Sequence, residues 1–168
     1  MADDFEKQSD AVFDRLQGIL TPEEALPAVE RGAKLIQARA KSIAPAPTGA
    51  MRNGIITQAD VRDGEAEAEV ISTAPYSGYV EFGTGPRGAE SVKTLPEGMS
   101  LTAADYKDKG WVLPPDVAAK LGYQYTRGQP AQPFMMPAFL SEKEKVVRVV
   151  QKGLLDAVAR AFGGGGGV

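Results

Sequence analysis

The dipeptide Asp63-Gly64 is the sequence feature that most restricts the fold of this chain. An Asp-Gly pair supplies the positive φ angles that a two-residue loop between antiparallel strands requires. Directly after it, residues 65–70 alternate between glutamate and small or apolar side chains, the period of a strand with one buried face. The alternation places three carboxylates on the solvent face: Glu65, Glu67 and Glu69. The sequence therefore predicts an antiparallel hairpin with one apolar and one acidic face.

Helical patterns stand on both sides of this hairpin. Apolar residues at three- and four-residue steps predict a first amphipathic helix over residues 3–20. A capping box at residues 21–24 starts a second helix, whose regular part we expect from Leu26 because Pro27 lacks an N–H. A further capping box at residues 141–144 predicts the start of a C-terminal helix.

The region between the hairpin and the C-terminal helix contains a third predicted strand, residues 76–82, and a long excursion. Residues 86–129 hold several prolines and glycines, which predicts an inserted arm rather than a core element. We expect an α+β fold in one domain, residues 1–162, followed by a flexible glycine tail at 163–168. In this fold a small antiparallel sheet of three or four strands follows the N-terminal helices and carries the arm, and the C-terminal helix packs on the sheet.

The composition excludes several classes of function. The chain has 168 residues with no cysteine and no histidine, which excludes disulfides, iron–sulfur clusters, zinc fingers and Ser-His-Asp catalysis. A formal net charge of -3 without a basic run predicts weak affinity for nucleic acid. No apolar run is long enough to span a membrane, and the first residues are acidic where a signal peptide would be basic. We therefore expect no membrane partner and assembly in the cytoplasm.

Four features allow a chemical interpretation, and each also has a structural one. Residues 83–88 match Gly-x-Gly-x-x-Gly, but a proline and turn residues stand where a phosphate-binding helix should open, so we expect a strand-ending turn. The glutamate row is either a metal or acid–base site or a solvated face. Tyr76 and Tyr79 either stack on bases or pack, and Met135 and Met136 fill a core or an interface. We predict no catalytic residue, no cofactor and no metal site, with a carboxylate-dependent metal enzyme as the alternative.

Three segments, in this order, carry a resemblance to a known family. Residues 43–55 resemble an Ala-Pro-x-x-Thr-Gly-x-Leu-Arg-x-Ser-Ile pattern, with Met51 in place of Leu and Gly54 in place of Ser. Residues 76–84 resemble a Tyr-Ala-x-Tyr-Val-Glu-Phe-Gly-Thr strand, and residues 132–139 resemble Gln-Pro-Phe-Leu-x-Pro-Ala. Together they are similar to the neck or tail-completion proteins of long-tailed bacteriophages, the gene-product-ten family typified by phage Hong Kong 97.

The resemblance implies a structural, non-enzymatic protein of the virion that is assembled in the host cytoplasm. Such proteins form a ring at the head–tail connector that joins portal or head-closure proteins to the tail tube and lets DNA pass. Implied partners are copies of the chain itself, with a sixfold ring favoured over a twelvefold one, head-closure or adaptor proteins, and tail-tube or tail-terminator proteins. A tail-terminator ring is the alternative within the same class.

Two sets of residues are expected to serve this role. Aromatic side chains contribute much of the binding energy of protein interfaces. Because the arm and the segment after it contain such side chains, we expect these two regions to form an interface. The predicted interface residues are Trp111, Tyr123, Tyr125, Phe134, Met135 and Met136. Acidic walls would let DNA slide where a basic lining would hold its phosphates. The carboxylates predicted to face the DNA channel are Glu65, Glu67, Glu69 and Glu81.

Overall fold

The structure is a computed structural model that describes residues 19–45, 49–102 and 105–163. Residues 3–18 of the predicted first helix and residues 164–168 of the predicted glycine tail lie outside the described part. The helices and strands, in chain order, are α1 (Pro22–Ile43), α2 (Ala50–Asn53), β1 (Ile55–Arg62), β2 (Glu65–Ser72), α3 (Ser77–Phe82), α4 (Gly85–Glu90), β3 (Trp111–Val112), α5 (Pro115–Leu121), β4 (Tyr125–Thr126) and α6 (Met135–Gly163).

Helix α1 begins with the predicted capping box. The Thr21 N–H donates to Glu24 Oε2 at 2.8 Å, and the Glu24 N–H donates to Thr21 Oγ1 at 3.3 Å. The helix is regular from Pro22, so the expected start near Leu26 is wrong. Pro27 removes one hydrogen bond in the second turn. The capping box and the Pro22 ring at the first helical position stabilise the first turn and so offset that loss.

The hairpin β1–β2 forms as predicted, with its turn at Asp63 and Gly64. Their φ angles are 52° and 81°, both in the left-handed region that a two-residue hairpin loop requires. Along both strands the exposed and the half-buried residues alternate, and the glutamates of β2 lie on the exposed side. The Arg62 guanidinium lies 3.4 Å from Glu69 and 3.9 Å from Glu67, so one cation partly offsets the repulsion within the glutamate row.

We expect Gly64→Ala to lower the free energy of unfolding by about 1–2 kcal/mol, because a Cβ is strained at a φ of 81°. Gly78→Ala is the matched control, since Gly78 lies in a helix with open space where a Cβ would stand, and alanine has the higher helix propensity. Urea unfolding monitored by circular dichroism measures both. Equal stability of the two variants would contradict the turn assignment.

The third strand predicted over residues 76–82 is wrong, because this segment is the short helix α3. The Ser77 N–H donates to the Ala74 carbonyl at 3.0 Å and the Val80 N–H to the Tyr76 carbonyl at 3.2 Å, so a turn leads into the helix. The tyrosines and Val80 favour a strand by propensity, but propensity over so few residues is weak beside tertiary contacts. The single sheet of three or four strands is replaced by two antiparallel pairs, β1–β2 and β3–β4.

Helix α6 begins earlier than predicted. It starts at Met135, and Ser141, the expected N-cap, lies inside it with its hydroxyl donating to the Ala138 carbonyl at 3.0 Å. Pro137 falls in the first turn, where its missing N–H costs no intrahelical bond. The α+β class is confirmed, with helices, small antiparallel sheets and a C-terminal helix. Among the described residues no helix is long and apolar enough to cross a membrane.

The chain divides into two compact units, each built from separate segments. Unit 1 contains the chain up to Arg39, Ile55–Ile71 and the chain from Ala138 onwards, and unit 2 contains Ala40–Gly54 and Ser72–Pro137. In unit 1, α1 and α6 pack through a core formed by Ala28, Val150 and Leu154. In unit 2, Met51 and Phe134 are buried. The single domain over residues 1–162 stays a prediction.

The helices α1 and α6 approach each other closely because two glycines lie at their contact. A Cβ placed on Gly32 would lie 2.8 Å from Val150 Cγ2, and one placed on Gly153 would lie 2.7 Å from the Cβ of Ala28. Any side chain at either position would therefore force the helices apart.

Candidate functional site

Glu81 in α3 has a buried carboxylate, and both of its oxygens accept hydrogen bonds from backbone N–H groups. Glu81 Oε2 accepts the N–H groups of Phe134 at 2.7 Å and Met135 at 3.0 Å, and Oε1 accepts that of Met136 at 3.1 Å. These donors stand at the start of α6, where N–H groups have no partner within the helix. A carboxylate there is further stabilised by the helix dipole. Glu81 therefore caps α6 from a distant part of the sequence.

This arrangement corrects two sequence predictions. Glu81 is 6% exposed, so its carboxylate does not face a DNA channel. Phe134 is 0% exposed, so its ring belongs to the subunit interior and not to an exposed interface. Met135 and Met136 are half-buried beside it. The glutamate within an otherwise apolar Tyr-Val-Glu-Phe segment is the sequence signal for such a role, but it identifies no partner by itself.

We expect Glu81→Ala to lower the free energy of unfolding by roughly 3 kcal/mol, because three N–H groups lose a charged acceptor in a buried place. Glu81→Gln keeps one oxygen acceptor and should lie between Ala and the natural residue. The control is Glu144→Ala, which removes an exposed carboxylate paired with Arg148 and should cost less than about 0.5 kcal/mol. Chemical unfolding of all three variants measures the order; similar losses for Glu81→Ala and Glu144→Ala would contradict the capping role.

The arm, residues 86–129, is closed at its base by hydrogen bonds between the chain that enters it and the chain that leaves it. The Thr84 N–H donates to the Gln129 carbonyl at 2.9 Å, and the Gln129 N–H donates to Thr84 Oγ1 at 3.1 Å. One step outwards, the Arg87 N–H donates to the Arg127 carbonyl at 3.3 Å. One step inwards, the Gln132 N–H donates to the Val80 carbonyl at 2.8 Å. The arm is therefore a pinched loop with a fixed base.

The three glycines of the Gly-x-Gly-x-x-Gly spacing pack against this base. A Cβ on Gly83 would lie 2.7 Å from the Ala131 nitrogen, one on Gly85 would lie 2.8 Å from the Arg127 oxygen, and one on Gly88 would lie 2.6 Å from the Gly83 carbonyl carbon. The short helix α4 begins at Gly85, although turn residues were expected there. Close backbone packing accounts for all three glycines.

Two aromatic residues of the arm pack back towards its base. The Tyr106 hydroxyl donates to the Phe82 carbonyl at 2.9 Å, and the Lys93 ammonium lies 5.2 Å from the centre of the Tyr106 ring. Trp111 is half-buried, a Cβ on Gly85 would lie 2.8 Å from its Cζ3, and the Lys107 ammonium lies 4.8 Å from the centre of its ring. Trp111 is a predicted interface residue, and the contacts described for it here are with its own arm and with Gly85 at the base of the arm.

Burial raises the pKa of the Tyr106 hydroxyl, and the nearby Asp105 carboxylate raises it further. In contrast, the N–H and hydroxyl of Thr102 donate to Asp105 and lower the pKa of that carboxyl group. The raised pKa favours the neutral phenol, which donates the hydrogen bond to the Phe82 carbonyl.

One of the five tyrosines should ionise above the ordinary value of 10.0, and Tyr106→Phe should remove that titration from the absorbance change at 295 nm. Because the folded-state pKa is raised, the contribution of Tyr106 to stability is complete below pH 10 and disappears as the pH rises through the folded-state pKa. A titration curve that Tyr106→Phe leaves unchanged above that pH would contradict the assignment.

The outer part of the arm exposes apolar side chains around a groove. The groove has a volume of about 510 Å³ and lies between β3, α5 and the segment that leads into β4. Its lining residues include Val112, Pro115, Ala118, Ala119 and Tyr123. Two of these are largely exposed, Val112 at 72% and Tyr123 at 50%. Tyr125, also predicted as an interface residue, is exposed on β4.

The remaining predicted channel residues, Glu65, Glu67 and Glu69, are exposed on β2. Among the described residues no cluster of three or more acidic side chains is arranged to hold a metal ion. In the subunit these three glutamates form a solvated acidic surface, with Arg62 beside two of them.

Residues 7–83 match a family model described as "Bacteriophage HK97-gp10, putative tail-component". The chain carries an HK97-gp10-like segment. The resemblance inferred from the sequence motifs is confirmed over these residues. No curated protein and no solved structure gives a significant match to the chain.

The HK97-gp10-like segment contains α1, the hairpin and α3, and it ends at Gly83. Its last turn includes Glu81, whose three N–H partners belong to the Gln-Pro-Phe motif at residues 132–139, beyond the matched segment. Two of the motifs that carried the resemblance are thus joined by one carboxylate. The arm is the part of the chain inserted between them.

Proposed function

We propose that this protein is a structural component of the head–tail connector of a long-tailed phage, where its copies form a ring that joins head-closure or adaptor proteins to the tail tube. The HK97-gp10-like segment is the observation that carries the proposal, because it relates the chain to a family of phage tail components. The ring, its position and its sixfold copy number go beyond that family description.

The subunit has the surface properties that such a ring needs. A closed ring forms when one patch on each subunit meets a different patch on the next. The arm offers one such patch, because Val112, Tyr123 and Tyr125 are exposed on an element whose base is fixed. Obligate interfaces are rich in exposed aromatic and aliphatic groups of this kind.

The hairpin supports the proposed passage of DNA. Its exposed side carries four carboxylates and one arginine, namely Asp60, Glu65, Glu67, Glu69 and Arg62. Phosphates are repelled by such a surface, and no condensed counterions are released to favour binding. We therefore retain the three glutamates of β2 as channel-facing residues and remove Glu81 from that set.

Purified virions and infected-cell extracts test the role. A phage that lacks this protein should yield filled heads and separate tails that do not join, and the purified chain should restore joining when it is added. In intact particles the protein should be present in the copy number of one ring, which quantitative mass spectrometry measures. Normal head–tail joining without the protein, or its absence from purified particles, would contradict the proposal.

A tail-terminator ring is the second candidate within the same class. It differs in what the mutant accumulates, since loss of a terminator leaves tails of irregular length whereas loss of a connector leaves tails of normal length. Electron micrographs of the same mutant lysate distinguish the two.

A further inference from the structure

The outer side of α6 carries a second exposed apolar surface, separate from the arm. Leu155 is 53% exposed and Phe162 is 75% exposed, and Val158 between them is half-buried. These residues stand at positions i, i+3 and i+7, so they lie in one row along the last two turns of the helix. We call this row the α6 ridge.

The spacing of the α6 ridge suits an apolar groove such as that of the arm. An amphipathic helix binds an apolar groove through anchors spaced i, i+3 or i+4, and i+7, which is the spacing of the ridge. The groove has a volume of about 510 Å³, and its lining combines the small Ala118 and Ala119 with larger apolar side chains such as Tyr123. The large side chains of the ridge can pack over these alanines at the density of a protein interior.

Each of the two surfaces has one basic and one acidic side chain beside it, in opposite order along the helix. On α6 the exposed Lys152 and Asp156 stand on either side of Leu155 in the sequence. On α5 the exposed Asp116 and Lys120 adjoin Pro115 and Ala119, which line the groove, so both charges of one helix can meet an opposite charge of the other. Opposite charges at the rim of an interface steer association and fix its register, although each pair adds little affinity.

We infer that the arm groove is a docking site for the α6 ridge of a second copy of this chain. The contact is heterologous, because the groove of one copy receives the ridge of the next and its own ridge stays available. An exposed apolar ridge with a matching pocket elsewhere on the same chain produces head-to-tail assembly, which closes into a ring when the rotation permits. The inference rests on the proposed ring and names its subunit contact.

Two substitutions separate the two halves of the contact. Ala119→Arg fills the groove and leaves the ridge intact, and Leu155→Arg places a charge in the ridge and leaves the groove intact. Both positions are exposed and helical, and arginine is a good helix former, so folding should be preserved. Each variant alone should associate at least about thirtyfold more weakly than the natural chain, the effect of losing an interface hot spot.

A mixture of the two variants provides the decisive measurement. Each mixed pair retains one intact contact, formed by the ridge of the Ala119→Arg chain and the groove of the Leu155→Arg chain. Native mass spectrometry and light scattering should therefore find rings for the natural chain, monomers for each variant and a one-to-one dimer for the mixture. A mixture that stays monomeric would overturn the inference, since it would show that ridge and groove do not bind each other in separate chains.

Two control variants test whether position matters. Val92→Arg makes a similar change at a side chain of the arm that is 93% exposed and lies outside the groove. Leu140→Arg makes the same change as Leu155→Arg at a leucine of α6 that is 46% exposed and lies about four helical turns before the ridge. Both should form rings as the natural chain does, and circular dichroism should show all four variants folded. Loss of rings in the controls as well would overturn the specific docking site.

These measurements distinguish failure of the docking site from failure of the proposed ring. Rings that persist in both Ala119→Arg and Leu155→Arg would overturn the docking site and leave the proposed ring in place. A natural chain that is monomeric at every concentration, alone and in joined particles, would overturn both.

Discussion

The hydrogen bonds that the start of α6 donates to Glu81 are the interaction on which the architecture of unit 2 depends. One buried carboxylate accepts three backbone N–H groups, at 2.7, 3.0 and 3.1 Å. An ionised group in such a place is tolerated only when its oxygens are fully hydrogen-bonded, and helix N–H groups are suitable donors because they are unpaired within the helix. The contact therefore fixes α3 and the beginning of α6 together. It also brings together the two ends of the intervening chain, from which the arm projects.

Because those two ends are held side by side, the chain between them can vary without disturbing the rest of unit 2. The arm base then adds a ladder of backbone bonds between Thr84, Arg87, Arg127 and Gln129, and glycines permit the close approach. Long insertions are tolerated at little entropic cost when their ends are already adjacent. A fixed base below an exposed outer part is the arrangement that binding loops use in many folds.

Much of the local structure could be predicted from the sequence, whereas the contacts between distant segments could not. The hairpin and the α1 capping box were predictable because their signals, Asp63-Gly64 and Thr21 with Glu24, act over two to four residues. The strand predicted over residues 76–82 is wrong because the helix there depends on contacts with residues about fifty positions away. The same cause explains Glu81, whose burial and partners depend on where α6 begins. The groove has no sequence signal, since it is formed by three elements and none of them is apolar enough alone to indicate it.

The hairpin exposes a charged surface and the arm an apolar one. This difference supports the proposed roles of DNA passage for the hairpin and protein contact for the arm. A two-stranded hairpin is marginally stable, so a row of three glutamates along one strand has a real cost, and Arg62 offsets only part of it. A face that needed only to be soluble could alternate both signs without that cost. The net negative charge of the hairpin face suits a surface that must stay near a polyanion without binding it. The arm has the opposite character, with apolar side chains exposed around a groove, and it is accordingly the region to which protein contacts are assigned.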